Sequence, residues 1–232
     1  MYERVPFAEH LEQLKRNWPQ GEHALICAGT GNGKTTLVRP LLNIRSHVVI
    51  LCAKNRDATF TKEYAGWTRY KSWPKGGPKP WHNRIVLWPE AERKFMDTVH
   101  KQRDVFLECM EWVNMEGNRG IVFDEGNMMA DPQFHGLGKE MGLMYIWGRS
   151  NGITAITNMQ RPKNVPLAII SNTSHAYFTQ TKLKDDLIRL RDLASGDPGE
   201  LGRVLMELPS RFDYAYTNPT GNAPGAIVNS RQ

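Results

Sequence analysis

AGTGNGKTTLVRP, residues 28–40, continues the apolar run HALICA, residues 23–28, and the reading of these two pieces together decides the fold. A glycine-rich turn between a short apolar strand and a helical pattern points backbone N–H groups at one spot at a helix N-terminus, the arrangement that holds phosphate. The P-loop (Walker A) pattern GxxxxGK[ST] is met at Gly33-Lys34-Thr35, with Ala28 standing where the first glycine usually stands. The mechanical parts remain: Gly29, Gly31 and Gly33 let the loop turn its amides inward, with Thr30 and Asn32 completing the nucleotide-binding loop. Lys34 reaches β- and γ-phosphate oxygens, Thr35 offers a hydroxyl to Mg²⁺, and Thr36 adds an α-phosphate contact. An alanine is compatible with the strand end provided its φ is negative.

Working outward, apolar runs alternate with helical patterns. SHVVILCA (46–53) and RIVLW (84–88) read as strands, a helical stretch runs from Pro89 to about Met115, and GIVFDE (120–125) precedes a helix ending near Arg149. ITAITN (153–158) and HAYFTQ (175–180) follow as further strands. Short apolar runs separated by helices predict βαβ units and an α/β fold: one domain with a mainly parallel central sheet flanked by helices. The expected organisation is an N-terminal helical extension over 1–20, with a helix at 7–16, a nucleotide-binding domain over 21–217, and a flexible C-terminal tail over 218–232 whose composition is turn-like.

GIVFDE puts Asp124 and Glu125 at the carboxyl end of an apolar strand, where a parallel sheet presents its ligand-binding edge. This is the Walker B position. Asp124 is assigned to the metal alongside Thr35, and Glu125 to the attacking water. An adjacent acidic pair at a strand end suits water as the nucleophile better than a bound phosphate acceptor.

GRSNGITAITNMQRPKNVPLAIISNTSHAYFTQ, residues 148–180, is the most specific stretch. A helix ends at Arg149, Gly152 turns the chain, a strand follows, and Gln160 emerges at its end beside the expected γ-phosphate. The run of RxxGI, strand, QRP, valine-proline pair, Ile-x-x-Asn and second strand resembles the FtsK/HerA superfamily of ring-forming DNA-pumping ATPases. The likeness extends over roughly residues 22–218 and includes Lys54 after the second strand. It implies a RecA/ASCE-like P-loop NTPase domain in which Lys34 and Thr35 contact the nucleotide, Asp124 and Glu125 act as metal-binding and catalytic acids, and Gln160 senses the γ-phosphate. Arg149 matches an arginine that in such rings reaches a neighbour's nucleotide, a contribution of about 10³ to 10⁵ in rate; read from this chain alone, it suits a helix C-terminus better, where a cation meets the macrodipole. Arg161 suits an ion pair as well as the site. A bare motor of this size is similar to the small genome-packaging ATPases of internal-membrane, tectivirus-type viruses.

The chain has 232 residues and a formal charge of +6, compatible with an anionic partner without demanding one. Cys27, Cys52 and Cys109 lie in apolar runs without metal-ligand spacing and read as buried thiols. No apolar stretch approaches the roughly 20 residues of a membrane span, and the N-terminus lacks the pattern of a secretory leader. The basic, aromatic segment TRYKSWPKGGPKPWHNR (68–84) reads as a long loop offering Lys71, Lys75, Lys79 and Arg84 to DNA phosphates, and LKDDLIRLRDL (183–193) as a subunit-facing or solvated helix.

Together these readings predict an ATP- and Mg²⁺-dependent double-stranded DNA translocase whose hydrolysis is DNA-stimulated. The resemblance implies a homo-oligomeric ring, a hexamer, packaging a viral genome in the host cytoplasm and docking on a capsid or membrane-vertex protein, with association with the virion at that vertex. The alternatives are another FtsK/HerA-type DNA-processing or conjugation motor, and a nucleotide switch or phosphotransferase that pumps nothing.

Overall fold

The computed structural model describes residues 2–162, 165–221 and 225–231. The N-terminal extension comprises β1 (Glu3–Arg4) and α1 (Phe7–Asn17). The chain then runs β2 (His23–Cys27), α2 (Lys34–Leu42), β3 (Val48–Cys52), α3 (Ala58–Glu63), β4 (Thr68–Tyr70), β5 (Arg84–Leu87), α4 (Phe95–Glu116) and β6 (Gly120–Asp124). After these come α5 (Gly126–Ala130), α6 (Gly138–Trp147), β7 (Thr154–Met159), α7 (Leu167–Ser171), β8 (Thr173–Phe178), α8 (Lys184–Leu190), α9 (Pro198–Glu207), β9 (Asp213–Thr217) and β10 (Ala226–Asn229).

Ten strands form one sheet in the order β1-β10-β9-β8-β2-β7-β6-β3-β5-β4. From β8 to β4 every neighbouring pair is parallel; β9 runs antiparallel to both β8 and β10. Strands β2, β3 and β6 are buried along their whole length because successive side chains enter two different cores. Leu25, Leu51, Ile121 and Phe123 pack with Phe106, Met141 and Tyr145 on one face. Ala24, Ile26, Ile50 and Val122 pack with Leu37, Leu41 and Trp18 on the other. A continuous apolar run is therefore what each of these positions requires.

Several boundaries differ from the sequence expectation for local reasons. The helix expected from Pro89 starts only at Phe95, since Thr98 turns its hydroxyl back to accept from Glu92 N–H at 2.8 Å and holds the preceding residues in a loop. The helix expected after GIVFDE is broken in two at Asp131-Pro132, where Asp131 accepts from Gln133 N–H and Gly136 sits at φ 63°. The segment expected as a loop over 68–84 opens with an edge strand, β4. The tail expected to be flexible carries β10, paired with β9 over Ala226–Asn229; residues 222–224 and 232 of that tail lie outside the described residues. All three cysteines are buried free thiols, and burial pushes Cys27 up to about 12.

Candidate nucleotide site

Ala28 continues β2, donating its N–H to Met159 O at 3.0 Å, and is 1 % exposed. Among the described residues only Asn118 and Glu125 are non-glycines with positive φ, so Ala28 occupies a conformation that needs no glycine. The turn proper falls on Gly31 (φ 78°) and Gly33 (φ 80°), the latter directly preceding α2. The loop is pinned from outside by Tyr214, whose hydroxyl donates to Asn32 O at 2.8 Å, and by Asn32 Nδ2 donating to Thr179 Oγ1 at 3.3 Å. Lys34 bends back over the loop and donates from Nζ to Ala28 O at 2.6 Å. Burial lowers its ammonium, with Glu125 and Asp124 pulling the other way.

The carboxylates stand at the ends of the strands beside the loop. Asp124 is the last residue of β6 and is 5 % exposed. Its Oδ1 accepts from Asn158 Nδ2 at 3.5 Å, while its Oδ2 has no hydrogen-bond partner among the described residues. Burial raises this carboxyl against the opposing charge of Lys54, whose ammonium lies 3.8 Å away. A buried carboxylate oxygen without a donor, next to a loop carrying the Thr35 hydroxyl, is a set of hard oxygen ligands that fits Mg²⁺ held partly by phosphate and water. Among the described residues there is no group of three or more His, Cys, Asp or Glu placed to hold a metal without such help.

Glu125 follows at φ 67° and ψ 51°, left-handed for a residue with a Cβ. This backbone turn, at a cost of order 1–3 kcal/mol, swings the carboxylate out of the strand. Its Oε1 lies 3.2 Å from Lys54 Nζ and its Oε2 accepts from Gln160 Nε2 at 3.1 Å. Lys54 is in turn held by Asp57 at 2.9 Å; burial opposes its charge, but the surrounding carboxylates raise it overall. Lys54, Glu125, Asn127, Phe134 and Gln160 border an open cleft of about 560 Å³. Glu125→Gly is expected to stabilise the fold by on the order of 1 kcal/mol in thermal or urea unfolding while removing the carboxylate. An unchanged or lower stability would mean that the ion pair with Lys54 outweighs the strain.

The fold thus brings Lys34, Asp124, Glu125 and Gln160 to one edge, with Thr35 and Thr36 in the first turn of α2. Two asparagines escaped the sequence reading. Asn127 locks the chain at Gln160, accepting from Gln160 N–H at 3.0 Å and donating to Arg161 O at 2.8 Å, and Asn158 buttresses Asp124. Only the tertiary pairing of β6 with β7 reveals either of them. Arg161 is a structural partner: it clasps the buried Asp186 of α8 through Nε and Nη2 at 3.3 and 3.2 Å. That contact turns one face of the 183–193 segment inward, together with Leu190 and Leu193.

Arg149 lies elsewhere. It is exposed just past α6, and its carbonyl oxygen sits 2.8 Å from where a Cβ on Gly21 would stand, beside the start of β2. The six-residue β7 separates it from Gln160, a span of roughly 20 Å. The basic segment is also divided. Lys71 pairs with Glu90 at the carboxyl end of β4, whereas the chain has returned to the opposite edge by Arg84. Lys75 and Lys79 are exposed, with Lys79 over the Trp81 ring. Arg84 is half-buried, donating to Leu42 O at 2.9 Å and stacking on Trp67, so its guanidinium is committed within the fold.

No protein-family model matches the sequence, and no curated protein matches it. Similarity to solved structures is extensive. The genome packaging NTPase B204 from Sulfolobus turreted icosahedral virus 2, in complex with ATP-gammaS, superposes with a TM-score of 0.61 at 13% identity over 90% of this chain and 97% of that one. The cytoplasmic domain of the Thermomonospora curvata type VII secretion ATPase EccC gives 0.56 at 17% identity over 91% of this chain and 25% of that one. The pCW3 conjugation coupling protein TcpA, as a monomer with ATPgS, gives 0.52 at 13% identity over 92% and 60%. The fold is that of these P-loop ATPases. No helix among the described residues is long and apolar enough to cross a membrane.

Proposed function

We propose that this chain is an ATPase of the FtsK/HerA type that couples hydrolysis to movement of double-stranded DNA, working as a subunit of a ring. The observation that carries the hydrolytic reading is the bracket around Glu125: a carboxylate beside the phosphate loop, held at 3.2 Å by Lys54 and at 3.1 Å by Gln160. In that reading the loop and Lys34 hold the triphosphate, and Lys34 exchanges its bond to Ala28 O for phosphate oxygens. Glu125 takes the proton of the attacking water, and the Gln160 amide orients that water against the γ-phosphate. Thr35 and Asp124 would hold Mg²⁺, which when bound offsets the charge of the phosphates. Packaging of a viral genome is the setting supported by the likeness to B204, and a conjugation motor is the second reading, supported by the likeness to TcpA.

Hydrolysis by the purified protein, followed over a concentration series with and without long double-stranded DNA, tests the motor. Turnover per subunit should rise with protein concentration and rise severalfold further with DNA. Tight ATP binding with turnover indifferent to both would leave a nucleotide switch in place of the motor. Lys71, Lys75 and Lys79 are the exposed lysines of the basic segment in this reading, Lys71 while paired with Glu90 and Lys79 over Trp81; Arg84 is committed within the fold.

A further inference from the structure

Topology fixes which way a nucleotide lies in the loop. On one flank of β2, the strands β7, β6 and β3 end in Gln160, the Asp124-Glu125 pair and Lys54, so a terminal phosphate presented to Glu125 faces that side. Its ribose and base then extend over the other flank, toward β8, β9 and β10. Because β10 runs antiparallel to β9, the residue before β9 and the residues after β10 come together at that same edge.

Those residues are Phe212, Ser230 and Arg231. Gly33, the last residue of the loop, lies against them: a Cβ there would stand 2.9 Å from Ser230 Oγ and 3.1 Å from the Phe212 ring. Ser230 is 5 % exposed, yet its hydroxyl has no hydrogen-bond partner among the described residues. The Phe212 ring is half-buried, with the Arg231 guanidinium 3.6 Å and that of Arg211 4.8 Å from its centre. The corner is rigid. Ser230 N–H donates to Phe212 O at 3.0 Å, and the buried Asp213 between them accepts from Arg4 at 3.1 and 3.0 Å and from Asn229 at 2.7 Å.

We propose that Phe212, Ser230 and Arg231 form the subsite for the base and sugar of the nucleotide. The base stacks on the Phe212 ring, the Arg231 guanidinium moves onto its outer face, and the Ser230 hydroxyl bonds to the sugar or α-phosphate. The stack already made by the arginine and the phenyl ring shows that a flat, polar-edged group fits this face. The proposal rests on the nucleotide reading of the loop but adds what the loop lacks, since a phosphate cradle does not distinguish ATP from inorganic tripolyphosphate.

Titration calorimetry with ATP and with inorganic tripolyphosphate, both with Mg²⁺, separates the two. The wild-type protein should prefer ATP. Phe212→Ala, the volume-sparing Phe212→Leu and Arg231→Ala should each lose about tenfold or more in ATP affinity while tripolyphosphate affinity stays the same. Lys34→Ala should lose both ligands. Equal loss of both in the Phe212 and Arg231 variants, or no loss of ATP, would overturn the subsite and leave the phosphate loop standing. A wild-type protein that binds neither ligand would instead overturn the nucleotide reading, and the subsite with it.

Discussion

Glu125→Gln is expected to bind ATP with near-native affinity while its steady-state turnover falls by about 10²- to 10⁴-fold, the range for losing a positioned general base. Glutamine keeps the side-chain length and leaves the left-handed backbone at this position unchanged, and its carbonyl oxygen can still accept from Gln160 or Lys54. What it cannot do is take a proton. Removing the negative charge also frees Lys54 from one of its three carboxylates, which favours rather than opposes an incoming triphosphate. Binding should therefore survive or tighten as turnover collapses. Nucleotide titration beside a phosphate-release assay reads the two quantities separately. Turnover within a few-fold of wild type would remove Glu125 as the base and shift attention to a water held by Gln160 alone.

The parts of this molecule legible from the sequence are those whose information is local. HALIC, VVILC and GIVFD are apolar apart from His23 and Asp124 at their ends because both faces of the sheet are covered, and the glycines at 31 and 33 mark the two positions where the loop needs positive φ. A carboxylate at the end of such a run falls at the ligand edge of a parallel sheet, so Asp124 and Glu125 announce themselves. The parts not legible depend on distant partners. AIVN in the tail is four residues of ordinary composition, and it becomes a strand because DYAYT, itself short, offers an unpaired edge. Asn127 and Asn158 are unremarkable until β6 and β7 stand side by side. Arg84 and Arg161 illustrate the converse: each looks available in the sequence and is spent on a neighbour, Leu42 and Trp67 for one and Asp186 for the other. A basic residue's availability to a ligand is set by what folds back onto it, which no short window contains.

Arg149 is exposed at the edge of the sheet opposite Glu125, where its charge acts on Glu22 and His23. With β7 between them, it cannot touch the nucleotide of its own subunit. In the proposed ring its route to the chemistry is across an interface, because a head-to-tail contact sets one surface patch of a subunit against a different patch of the next. Arg149→Ala should then bind ATP normally and lose about 10³- to 10⁵-fold in turnover, and only under conditions in which the wild-type protein assembles. Mixing distinguishes this from a structural loss. In equal, freely exchanging mixtures of Arg149→Ala with Glu125→Gln, roughly a quarter of interfaces pair an intact Glu125 with an intact Arg149. Turnover should therefore recover to roughly a quarter of wild type, orders of magnitude above either variant alone. A mixture as inactive as its components, in rings shown to exchange subunits, would return Arg149 to the end of its helix, where a cation simply meets the last carbonyls of α6.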